Sequence, residues 1–195
     1  VGSVIFSPSD VSIVEGAPGE RRRFLDIVLS LNVRGYLDAL QRYRSVLRQR
    51  NALLKQGRGS DALASWNAGL VESGARVIVA RHAWIRSHAD RFGDLYGAIG
   101  GTAGVLRFEC DVPLPDEDAV SVDTVSAAFS ARLERVEQRE RDRGVTLAGP
   151  HRDDVALLMA TAEGDVDLRQ FGSGGQKRTA AIALRMIEAE TVRHA

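Results

Sequence analysis

The sequence predicts an α+β fold, in which a long helical arm and a small antiparallel sheet are joined by a β-hairpin that leads into a final helix. Three observations predict it. Leu63, Trp66, Leu70, Val77, Trp84, His88, Leu95 and Ile99 keep a three-four rhythm over a stretch far longer than an ordinary globular helix. Val105 to Val112 alternates apolar and polar residues, as a half-buried strand does. Val155–Thr161 and Val166–Phe171 are two short apolar runs joined at Glu163-Gly164-Asp165, a turn sequence suited to a hairpin.

Taken in order, Val1 to Phe6 reads as a short buried strand that Ser7-Pro8-Ser9-Asp10 ends. Arg21-Arg22-Arg23 runs into Phe24-Leu25-Asp26 as a short helix. Tyr36, Leu40, Tyr43, Leu47 and Leu54 fall at helical spacing, and Gly57 and Gly59 close that helix. Gly69, Gly74 and Gly93 each weaken the long helix by about 1 kcal/mol relative to alanine, and Gly100-Gly101 ends it. Pro113 and Pro115 stop the strand that follows. Ser121 is the N-cap of a third long helix, with Val122, Val125, Phe129, Leu133 and Val136 on one face. The run Gln138 to Arg143 reads as solvated, and Gly144 terminates it. Val145 to Gly149 is strand-like. Gly172-Ser173-Gly174-Gly175 opens into a last helix from about Gln176 to Arg193, whose alanines and leucines predict burial.

Composition removes several function classes. The 195 residues carry 26 basic and 26 acidic side chains, so no global charge drives binding to nucleic acid. No apolar run reaches the length of a membrane span, and Val1–Asp10 has no basic leader region. Cys110 is the single cysteine, which excludes an intrachain disulfide and a cysteine-based zinc site and fits a reducing, cytoplasmic compartment. The only lysines, Lys55 and Lys177, follow Leu54 and Gln176 rather than glycine, so the chain has no P-loop.

Phe171-Gly172-Ser173-Gly174-Gly175-Gln176 lies where a glycine-rich turn meets a helix. Such a start offers unpaired N–H groups and the positive end of the helix dipole to an anion, and Ser173 can donate to a phosphate oxygen. Lys177 and Arg178 disfavour the dipole, a cost that an anion would offset. The same residues also make a serine-capped turn with no ligand. A hydrolase elbow is excluded, because Phe171 stands where a glycine is needed.

Ser173-Gly174-Gly175-Gln176 resembles the signature motif of ABC-type ATPases of the SMC and Rad50 group. Phe6-Ser7-Pro8-Ser9-Asp10, Gly16-Ala17-Pro18 with Arg22 to Asp26, and Gly149-Pro150-His151-Arg152-Asp153-Asp154 narrow the resemblance to the RecF family of bacterial DNA replication and repair proteins. Tyr43 to Leu54 is similar to that family's arm. The resemblance implies residues 1–19 at the end of an ATPase head lobe, 20–147 as a helical arm domain, and 148–195 as a head segment with hairpin and signature helix. It also implies an ATP-dependent homodimer that binds DNA and meets a RecR-type mediator, with ATP and magnesium as cofactors and weak DNA-dependent ATPase activity in the full-length protein. Ser173, Gly174, Gly175 and Gln176 would contact ATP held by the opposite copy, and Asp10 falls at the position of a Q-loop. Ser9 stands where the family usually has glutamate. Without P-loop or Walker B element, the chain alone is not expected to hydrolyse ATP.

Arg34 to Arg58 holds seven positive charges against Asp38 alone. Arg42, Arg44, Arg48 and Arg50 are candidates for sequence-independent DNA contact, against a merely solvated helix face. His151 with Asp153 and Asp154 reads as a structural network before a catalytic pair. Trp66, Trp84 and Cys110 read as core. The competing function class is a non-enzymatic helical module that binds protein or DNA.

Overall fold

A computed structural model describes residues 6–57, 60–114, 116 and 119–193, and the chain divides into two compact units. One comprises residues 1–33, 81–109 and 154–195; the other comprises 34–80 and 110–153. The predicted strand at Val1 to Ile5 and the charge at Arg58 lie outside the described residues. Phe6 is not in a strand, and Ser7 caps a 3-10 turn at Pro8–Val11 instead.

The first unit contains a three-stranded antiparallel sheet in the order β1-β2-β3, with β1 at Gly104–Glu109, β2 at Asp154–Thr161 and β3 at Gly164–Asp167. β1 thus joins the hairpin in one sheet, pairing Val105 with Leu158 and Glu109 with Asp154. β1 ends at Glu109 rather than Val112, because the Asp111 amide is taken by the Asp153 carboxylate. The hairpin turns at Ala162-Glu163, one residue earlier than predicted, with Gly164 at φ 122°. Only glycine adopts that conformation readily.

The helices of this unit are α1 (Ser12–Glu15), α2 (Pro18–Asn32), the second half of α4 (Ser60–Gly100), α6 (Leu168–Phe171) and α7 (Gly174–Arg193). The short helix predicted around Arg21–Asp26 is part of a 15-residue α2, begun by Pro18, whose fixed φ suits the first helical position. Phe24, Leu25, Val28 and Leu29 of α2 are buried with Trp84, Phe92, Leu106, Leu157, Leu184 and Ile187. Arg21 grips Asp154 through two hydrogen bonds of 2.7 and 2.8 Å, fixing α2 to the start of β2. The last four residues of the predicted Val166–Phe171 strand are α6 instead. Asp167 caps it by accepting the Arg169 amide at 2.7 Å, an aspartate N-cap signal present in the sequence.

The second unit brings together α3 (Tyr36–Lys55), the first half of α4 and α5 (Val122–Arg143). Tyr43, Leu70, Val77, Phe129 and Leu133 form its core. Gly74 belongs there because an added Cβ would lie 2.6 Å from a Phe129 ring carbon. The Ser121 capping box and Gly144 at φ 67° bound α5 as the sequence predicts. Trp66 is 36% exposed and therefore not core, whereas Trp84 is buried.

Two further expectations change in this unit. Val145 to Gly149 is not a strand. Its polar groups are satisfied by side chains: Thr146 N–H donates to Asn51, Leu147 N–H to Glu140 and Gly149 N–H to Asp111. These amides have partners other than a strand ladder. Glu140, within the run predicted to be solvated, is fully buried and accepts from Arg50 at 2.6 Å.

Candidate functional site

Ser173 immediately precedes α7 and closes a reciprocal capping box with Gln176. The Gln176 amide donates to Ser173 Oγ at 3.3 Å, and the Ser173 amide donates to Gln176 Oε1 at 2.8 Å. The Gln176 side-chain nitrogen also reaches Met159 Sδ of β2 at 3.2 Å. Gln176 is half-buried, and these contacts hold the turn in place.

What remains outward is specific. Gly174 and Gly175 occupy the first two helical positions, whose amides have no intrahelical acceptor. Both residues are exposed. A Cβ on Gly174 would meet nothing within 4 Å, and one on Gly175 only Ser173 Oγ at 3.9 Å. The Ser173 hydroxyl uses a lone pair in the cap and keeps its own proton for an external acceptor. These are the requirements for an oxyanion, met without strain. The cationic first turn is partly balanced, since Lys177 lies 3.7 Å from Glu15, while Arg178 is exposed.

Asp10 is buried in the same unit. One carboxylate oxygen accepts the Ser7 amide at 2.7 Å, and the other accepts from Arg185 at 2.6 Å. Burial by itself would raise the Asp10 pKa, but the Arg185 guanidinium and the Ser7 amide outweigh it and hold the carboxyl below its ordinary value. Arg185 also donates to Glu188 at 2.6 Å and lies over the Phe24 ring, 5.5 Å from its centroid. No sequence pattern marks this cluster, because Asp10 and Arg185 are 175 residues apart.

The basic stripe loses one member. Arg42, Arg44 and Arg48 are exposed on α3, and Arg42 lies 3.5 Å from Glu72. Arg50 is 1% exposed and donates to Asn67, Thr146 and Glu140, so it cannot reach DNA.

No protein-family model matches the chain. Curated relatives do. RecF of Herpetosiphon aurantiacus is 39% identical over 193 residues, covering 96% of this chain and 47% of that protein. RecF of Thermomicrobium roseum is 39% identical over 202 residues, covering 95% and 50%. A solved structure described as the recombination mediator protein RecF with ATPrS in the RecFOR pathway superposes with a TM-score of 0.89 at 29% identity, over 98% of this chain and 51% of that one. This chain belongs to the RecF family. It spans about half the length of the relatives it matches. A second solved RecF, with ATP, superposes at a TM-score of 0.83 and 29% identity, covering 96% of this chain and 50% of that one.

The other RecF-like block, Gly149 to Asp154, is structural throughout. His151 Nδ1 lies 2.6 Å from the Tyr43 hydroxyl and its Nε2 lies 3.1 Å from the Thr146 carbonyl. The pattern fits a neutral ring that accepts from the tyrosine and donates to the carbonyl. Arg152 approaches Asp111 at 3.6 Å, while Asp153 accepts the Asp111 amide. Gly149 sits at φ 120°, and an added Cβ would be 2.5 Å from Phe129 Cζ. No side chain of the block is left for acid–base work.

Cys110 is half-buried rather than core. Burial raises its thiol pKa strongly, and the Asp153 and Asp111 carboxylates add to the rise. Because the thiolate is the reactive form, iodoacetamide at pH 8 should alkylate native Cys110 at least about tenfold more slowly than the denatured chain. Equal rates in the two states would contradict the raised pKa.

Among the described residues no helix is long and apolar enough to cross a membrane.

Proposed function

We propose that this segment supplies the trans-acting contact of an ATP-bridged RecF-family dimer that works in DNA repair. The observation carrying the reading is the open start of α7, where Ser173 keeps a hydroxyl proton and Gly174 and Gly175 present unobstructed amides. Its occurrence in a chain that superposes on RecF solved with ATP supports a nucleotide as the anion.

ATP supplies a terminal phosphate bearing negative charge on several oxygens. Ser173 Oγ–H and the first α7 amides would donate to those oxygens, and the helix dipole would favour the charge. Gln176 acts by fixing Ser173, not by direct contact. In this reading the phosphate belongs to a nucleotide held by a second copy. Magnesium would be held with the triphosphate; among the described residues no cluster of three His, Cys, Asp or Glu side chains suits a metal ion.

The expected site of action is the cytoplasm, with DNA and a RecR-type mediator as partners. We assign the first unit to the ATPase head and the second to the arm. For DNA, Arg42, Arg44 and Arg48 on α3 are the contacts to test. Each phosphate neutralised contributes about 0.9 to the slope of log K against log salt. Charge reversal at Arg44 and Arg48 should therefore reduce that slope by about 2, and an unchanged slope would leave α3 a solvated face.

The decisive experiment is dimerisation of a full-length family protein carrying this segment, with and without ATP. ATP-dependent dimers that a Ser173 substitution abolishes are expected. Dimers indifferent to ATP and to Ser173 would favour a helical interaction module, for which a complete serine cap without ligand would suffice.

A further inference from the structure

We propose that the groove between the first half of α4 and α5 is a docking slot for one arginine side chain, carried by a basic segment of a partner protein. The slot lies wholly within the second unit and does not depend on the α7 start.

Two helix faces build it. Leu63, Asn67 and Val71 recur at four-residue spacing on α4, and Ser130, Glu134 and Glu137 lie one turn apart on α5, so each row shares a face. With Ala68, Leu133 and the inner end formed by Arg50, these rows enclose about 230 Å³. Pockets for whole small molecules are roughly 300–1,000 Å³. The smaller space suits a single long side chain whose backbone stays outside. Ala68 is exposed and is the smallest side chain lining the groove.

The lining is apolar at the floor and acidic at the rim. Leu63, Val71 and Leu133 are at most 8% exposed and would cover a methylene stem. Glu134 is exposed and has no hydrogen bond or ion pair among the described residues. Glu137 gives one carboxylate oxygen to Arg141 at 2.6 Å and keeps the other. The Ser130 hydroxyl is exposed and also without a partner there. Arg50 leaves no unbalanced positive charge at the inner end, since Glu140 meets it at 2.6 Å. The exposed arginines Arg135, Arg139 and Arg143 fall on a different face of α5, so they do not neutralise the rim.

The acceptors select the cation. Two carboxylates and a hydroxyl within two helical turns match the five donors of a planar guanidinium better than the three of an ammonium. Guanidinium is also the more weakly hydrated of the two, so it enters a half-apolar slot at lower cost.

The test is methyl NMR on a full-length family protein carrying this segment, labelled at leucine and valine methyls, with N-acetyl-arginine methylamide as the probe. Titration should shift the signals of Leu63, Val71 and Leu133. The citrulline analogue keeps the shape without the charge and should bind at least about tenfold more weakly, the usual effect of losing a charge-assisted hydrogen bond. The lysine analogue should fall between the two. Glu134→Gln with Glu137→Gln should weaken the arginine probe at least about tenfold, whereas Glu163→Gln on the hairpin turn should change it by less than about twofold. Ala68→Trp should fill the slot and abolish the shifts. Absence of shifts at the three floor residues, equal binding of the arginine and citrulline analogues, or shifts that survive both the glutamine pair and Ala68→Trp would each overturn the proposal. A lysine analogue as tight as arginine would overturn the guanidinium assignment. Tighter binding of free arginine than of the capped probe would overturn docking of a protein segment, because the site would then read the amino-acid backbone.

Discussion

Replacing Glu140 with alanine should destabilise the second unit by about 3–5 kcal/mol, the usual cost of stranding one member of a buried ion pair. Arg50 would keep its bonds to Asn67 and Thr146 but lose the 2.6 Å carboxylate contact that balances its charge in a 1% exposed position. The Leu147 amide would lose its acceptor as well. Thermal unfolding followed by calorimetry should show a midpoint lower by more than about 10 °C, given the 4–8 °C per kcal/mol typical of units near this size. The double replacement Arg50→Met with Glu140→Leu should be far milder than Glu140→Ala, because it removes both charges together. A loss below about 1 kcal/mol for Glu140→Ala would mean that water reaches the pair and that it behaves as a surface bridge.

The second large effect is at Ser173. Ser173→Ala removes the cap acceptor, at about 1 kcal/mol of helix stability, and removes the hydroxyl proton offered to phosphate. Losing a hydrogen bond to a charged group corresponds to about 1.5–3 kcal/mol. ATP-dependent dimerisation should therefore weaken roughly 10- to 150-fold in sedimentation experiments, with the fold intact by circular dichroism. Ser173→Arg fills the open space in front of Gly174 and Gly175 as well, and dimers should vanish at any practicable ATP concentration. Retention of ATP-dependent dimers by Ser173→Arg would show that the α7 start does not face the nucleotide.

Much of the fold is written locally. The caps at Ser121 and Gly144 are short-range signals, and α3 and α5 follow their apolar stripes. The signature turn is equally local: Ser173 and Gln176 are three residues apart, and their box forms from neighbours alone. The features the sequence hides depend on distant partners. Arg50 looks like one more solvated arginine on α3, and only Glu140, 90 residues away, makes its burial tolerable. Val145–Gly149 has strand composition, yet side chains from α3, α5 and the Cys110–Asp153 region take its amides. Asp10 belongs to a motif that could be read, but its attachment to α7 through Arg185 could not.

The dual employment of Ser173 makes its position a chemical filter. Helix capping accepts aspartate, asparagine, threonine and serine almost interchangeably. An aspartate there would set a negative charge against an incoming phosphate, and an asparagine would offer bulkier, differently aimed donors. Folding would thus tolerate an alphabet of several letters where recognition reads only a small hydroxyl, and variation at this one site would separate the two selective pressures.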